Sequence, residues 1–244
     1  MTHGSFRGWI AIACLAALAG CKAAPAPSAG FADPKLLKPD PNVPFDKYWH
    51  DSQVTWSGYT QIYIADVDTE YMLKTTDWQQ GERKGEIEKD VAKLAVFMRD
   101  SLKKAFRDDP KHRYRVVDAP LHDPHTLILE TALIEVIPSK VTLSALELAP
   151  FYVGTGVAIF RTASNDHSLA AFEARERDAA TGKIIALAAD CEEQQYAIID
   201  VRSLTWYSDV DGIIDEWSQQ FVQIANQKPG QKIEGASTFR LLPW

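Results

Sequence analysis

The chain has 244 residues, a formal net charge of −7, and 24% charged against 46% apolar residues. That length suits one globular domain or a small pair with a sizeable core. No basic stretch is without acidic residues, and even the richest, 103–115, is interrupted by Asp108 and Asp109, so a phosphate-tracking nucleic-acid surface is excluded.

The first element is a leader. Arg7 gives a positive start, residues 9–18 form an apolar run too short for a comfortable membrane span, and Ala19-Gly20 puts small residues before Cys21. Leu18-Ala19-Gly20-Cys21 resembles the lipobox of bacterial lipoproteins. The resemblance implies a signal peptide over 1–20, a diacylglycerol on the Cys21 sulfur, cleavage just before that residue and acylation of the new amine. Each buried methylene contributes about 0.8 kcal/mol, so two or more chains hold a protein stably at a membrane without spanning it. Lys22 follows where an aspartate would resemble the inner-membrane retention signal of enteric bacteria, which points to the outer membrane. No second apolar segment approaches the ~20 residues of a span, so the rest is expected in the periplasm.

Residues 21–45 carry the lipidated cysteine and six prolines from Pro25 to Pro44. They read as an extended tether holding the domain off the bilayer. A strand is expected over 61–67. A helix over about 85–107 presents Ile87, Val91, Leu94, Met98, Leu102 and Ala105 on one face, with Glu86 and Glu88 at its start and Lys103, Lys104 and Arg107 at its end. Pro110 limits it. Strands over 113–118 and 126–137 follow. In 169–177 Ala170, Phe172 and Ala174 share one face and Glu173, Arg175 and Arg177 the other, which predicts one wet side. Asp178 to Lys183 reads as a turn with glycine at its left-handed position, and 183–190 returns as the partner strand. A last helix is expected from Ser208, with Asp211 three residues on and Val210, Ile214, Trp217, Phe221 and Ile224 in one stripe.

This order predicts an α+β two-layer sandwich: a mostly antiparallel sheet with two amphipathic helices on one face. The domain is placed at 46–230, with a carboxyl-terminal tail at 231–244. The segment Phe172-Glu173-Ala174-Arg175-Glu176-Arg177-Asp178-Ala179-Ala180-Thr181-Gly182-Lys183 resembles the hairpin of a bacterial lipoprotein family of unknown function, with its D-x-x-T-G turn. Gly30-Phe31 and Leu36-Leu37-Lys38-Pro39 are similar to that family's opening segment. The family has no assigned catalytic residues, and the resemblance implies an arrangement distantly similar to auxiliary lipoproteins of envelope transport machines.

Candidates for chemistry are few. His122-Asp123-Pro124-His125 brings two imidazoles and a carboxylate within four residues, but a third ligand must come from elsewhere and a hydrated turn explains the same residues. No metal or cofactor is expected. Cys14, Cys21 and Cys191 show no C-x-x-C spacing. Gly154-Thr155-Gly156 has Ile159 where a dinucleotide loop needs its third glycine, and no G-x-S-x-G elbow occurs. Cys191 reads as buried filler, and Asp190, Glu192 and Glu193 as a solvated strand end. Tyr48, Trp49, Trp56 and Tyr59 read as a flap on the core.

Residues 141–160 carry one charge, Glu147, and are expected to be buried or to meet a partner. The expectation is a non-enzymatic lipoprotein of the outer membrane. Its periplasmic domain serves as an accessory or binding subunit with an envelope protein partner. The alternatives are a small-ligand binding or sensing domain, and a metal-assisted hydrolase at His122 and His125.

Overall fold

The computed structural model describes residues 28–75, 84–120, 122–137, 167–195 and 210–235. Strands β1 (Lys47–His50), β2 (Gln61–Ile64), β3 (Arg115–Val117), β4 (Thr126–Ile137), β5 (His167–Asp178) and β6 (Ile184–Gln195) make one sheet in the order β1-β6-β5-β4-β2-β3. Helices α1 (Glu70–Thr75), α2 (Lys84–Arg107) and α3 (Asp211–Ala225), with a single 3-10 turn over Trp56–Gly58, complete the described elements. The α+β class and mostly antiparallel sheet match the expectation. β2 departs from it: it is parallel to both β3 and β4, because α2 intervenes between β2 and β3 and returns the chain in the same direction.

The helices form where spacing three and four collects apolar side chains. On α2, Val91, Leu94, Met98, Leu102 and Ala105 are all buried, and on α3 so are Ile214, Trp217 and Phe221. Both stripes pack on the sheet face built from Ile62, Ile64, Leu127, Leu129, Leu133, Phe172 and Ala174. Burying each large aliphatic side chain contributes about 1.5–3 kcal/mol. Phe172 sits at the centre, edge-on to Trp217 at 4.7 Å and to Phe45 at 5.2 Å. In β4 the alternation breaks after Leu133, where a bulge leaves Ile134 outside the ladder with β5. The bulge turns Val136, in place of Glu135, toward the helices.

The outer sheet face corrects two expectations. The chain from Ser28 onward is not an extended tether: Phe31, Ala32, Leu37, Val43 and Phe45 are buried, and Lys38 bridges to Tyr48 beside β1. Nor is the outer face of β5 wet. Phe31 packs with Ala132, Ile134, Leu169, Ala171 and Cys191, while Ala32 and Leu37 cover Leu187. The prolines permit this path because packing against a completed sheet needs no helix or ladder from the covering strip. From the assigned tail, Ile233 is also buried, and its N–H donates to Asn42 O at 3.0 Å. α1, which periodicity did not reveal, lies against β4, with Met72 in the helix-side core and Tyr71 edge-on to Phe31.

Candidate functional site

Alternation along β5 puts two carboxyl groups three residues apart on opposite faces. Glu173 points outward and is 3% exposed. One of its oxygens accepts from Ser28 Oγ and the Ala29 N–H, both at 2.9 Å, and the other accepts from the Ala32 N–H at 2.7 Å. Three donors from one short strip thus clasp the amino-terminal segment onto the middle of the sheet. Beside it, Arg175 lies 3.9 Å from the centroid of Phe31 and donates to Phe31 O. Arg175 and Arg177 both reach Glu130, at 2.6 and 2.7 Å, along the same face.

Glu176 points the other way, into the helix side. It lies in a narrow groove with Tyr48, Leu129, Ala186, Phe221 and Ile224, and it accepts no hydrogen bond from the described residues. Burial pushes its carboxyl up to about 7. Burial also raises the phenols of Tyr48 and Tyr114, with the Glu176 charge adding to it. Tyr59 is raised by burial and by its 2.8 Å hydrogen bond to Asp178. Arg113 fixes this corner: its guanidinium donates to Tyr59 O and Trp56 O and lies 4.3 Å from the Tyr114 ring centroid. The arrangement can take up a proton near neutral pH or accept a hydrogen bond from a ligand. Sequence reasoning missed Glu176, although its signal was present, since the run Ala170, Phe172, Ala174 continues on the same face into a glutamate.

Asp178 does structural work. Its carboxylate accepts from the Thr181 N–H and hydroxyl, both at 2.7 Å, and Gly182 follows at φ 72°, where a Cβ would be strained. Burial opposes ionisation of Asp178, but the hydrogen bonds from Thr181 and Tyr59 outweigh it and hold the carboxyl below its usual value.

Asp123 likewise caps a turn, accepting from the His125 N–H, Thr126 Oγ1 and Gln61 Nε2. The His125 ring lies 2.8 Å, through Nδ1, from Gly58 O. No group of three or more His, Cys, Asp or Glu suited to a metal occurs among the described residues.

Cys191 is buried in the outer-face cluster, in the position expected of filler. The strand end beside it is not solvated: Asp190 and Glu192 are buried. Asp190 accepts from the Asp46 N–H at 2.8 Å and from Trp217 Nε1 at 2.9 Å, tying β6 to α3 and to the start of β1. Of the aromatic group, Tyr48, Trp56 and Tyr59 pack on the main core and Trp49 on the outer face. Cys21, the 141–160 segment with Gly154-Thr155-Gly156, and the Ser208 cap lie outside the described residues.

No helix among the described residues is long and apolar enough to cross a membrane. A search of curated proteins finds no match. Among solved structures, the chain is similar to PelC dodecamers from Paraburkholderia phytofirmans. For a point variant of PelC the identity is 10%, covering 74% of this chain and 98% of that one, with a TM-score of 0.38. In a second crystal form the values are 9%, 71%, 95% and 0.38. Likeness at this level says nothing of function. A family model described as a protein of unknown function, DUF3313, matches residues 27–221.

Proposed function

The chain belongs to the DUF3313 family, and we propose that it is a lipoprotein of the outer membrane, anchored through Cys21, whose periplasmic domain is a non-catalytic accessory or binding subunit of the envelope. The observation that carries this is the apolar leader ending in Leu18-Ala19-Gly20-Cys21, with packing under way from Ser28, only seven positions later. The sparse inventory of nucleophiles and paired bases supports a binding role.

Mass spectrometry of the mature amino-terminal peptide tests the anchor: acyl chains are expected on Cys21, and Cys21→Ala is expected to move the domain from the membrane fraction to the soluble one. A bare cysteine or an uncleaved leader would overturn the location. Crosslinking in the native host tests the role, and recovery of monomer alone counts against an envelope protein partner. A second reading, a small-ligand binding domain, is favoured by the Glu176 carboxyl among apolar and phenolic side chains. Ligand binding lost in Glu176→Gln with the fold intact would promote it.

A further inference from the structure

The way the chain joins the fold determines which side of the domain meets lipid; this deepens the anchoring reading and rests on it. Ser28 is clasped by Glu173 over β5, the third strand from the β1 rim of six. Cys21 lies seven Cα steps earlier, a span of at most about 25 Å when fully extended and about 22 Å in a polyproline conformation. To put α2 and α3 against the bilayer, the leash would run two strand spacings, about 10 Å, to the β1 rim. It would then pass the sheet and helix layer, about 15 Å more. That path consumes the whole leash. With the outer sheet face toward the bilayer, none of it is needed.

An independent observation lies on that face. The large apolar side chains exposed among the described residues are Leu36, at 38%, and Val96, at 47%. Single exposed apolar residues are ordinary, so position decides. Val96 is on α2, away from the leash. Leu36 is in the strip that covers the outer face, next to exposed Lys35 and near exposed Lys38, while Leu37 turns inward and anchors the strip on Leu187. Asp33 in this turn accepts the Lys35 N–H at 2.9 Å. An apolar tip between two ammonium groups, with Asp33 and Asp40 beyond them leaving the turn neutral overall, suits the boundary where acyl chains meet zwitterionic and anionic headgroups.

We propose that the Lys35-Leu36-Leu37-Lys38 turn rests on a phospholipid surface, with the outer sheet face toward the bilayer and α2 and α3 turned away from it. The test uses the full lipidated protein in vesicles of phosphatidylethanolamine and phosphatidylglycerol, with a dye on Leu36→Cys or Val96→Cys and headgroup-nitroxide lipids as quencher; Cys191 is buried and stays out of the labelling.

Quenching at position 36 is expected to exceed that at 96 several-fold. Equal quenching, or more at 96, in protein whose Cys21 acylation is confirmed by mass overturns the orientation and leaves the anchor standing. An unacylated Cys21 overturns both. In a chain with a long Gly/Ser insertion after Pro27 and Lys35→Glu with Lys38→Glu, the two dyes are expected to quench alike. A persistent excess at 36 there overturns the assignment to leash and turn.

Discussion

The two faces of the sheet are closed by different means, and β5 shows the contrast within four residues. On the helix side, regular amphipathic stripes bury a large apolar core; of the acids facing it, Asp190 is met by Trp217 Nε1 and the Asp46 N–H, whereas Glu176 accepts no hydrogen bond from the described residues. On the outer side an irregular strip closes the face, and the acid there, Glu173, is met by three donors. A helix satisfies its own backbone, so helices can cover a sheet with apolar contact alone. An irregular strip leaves backbone N–H groups unpaired, and a buried carboxylate is one way to satisfy them. Glu173 therefore holds the strip down, whereas Glu176 costs stability whenever it is charged.

Breaking this contrast has its largest effect at the clasp. Glu173→Ala leaves the Ala29 and Ala32 N–H groups without their acceptor and is expected to cost about 3 kcal/mol; a fall in denaturant midpoint, with faster amide exchange at Ala29 and Ala32, checks it.

The next effect depends on pH. Because the folded state raises the Glu176 carboxyl above its ordinary value of 4.5 to about 7, the native protein holds more protons than the unfolded chain between those values. Stability from this group is thus full below pH 4.5 and is lost as pH rises through about 7. Glu176→Gln is expected to raise stability at pH 8 and to change it little at pH 4. Melting curves at the two pH values compare them, and a gain of equal size at both would assign the effect to packing instead. The smallest effect is at the rim of the clasp, where Ser28→Ala removes the hydroxyl donor of an exposed residue and is expected to cost about 0.5 kcal/mol by the same denaturant measurement.

The helix-side half of the molecule was legible because its signals are periodic. The spacing of Val91, Leu94, Met98 and Leu102 announced α2, and 126–137 matched β4 to its bounds. The Asp178 to Gly182 turn was legible because its chemistry is local. The outer half was not, since nothing in the order of Phe31, Ala32 and Leu37 reveals a partner about 140 residues away, and prolines argue only against helix. The parallel pairing of β2 escaped for a related reason: strand direction is set by the crossover and not by strand composition. Glu176 was readable as a polar break in an apolar alternation. What the sequence could not convey is that Tyr48, Tyr59 and Tyr114 gather around it from three separate parts of the chain.

The clasp joins residues 141 to 145 positions apart, and Asp46 meets Asp190 across 144. Closing a loop of that size carries a length-dependent entropy cost of about 4 kcal/mol, recovered only once β5 and β6 exist. The strip thus precedes in the chain the strands that hold it, and must wait for them. Until those strands have been made, the amino-terminal strip lacks the carboxylates that pair its backbone donors, and its place on the sheet does not yet exist.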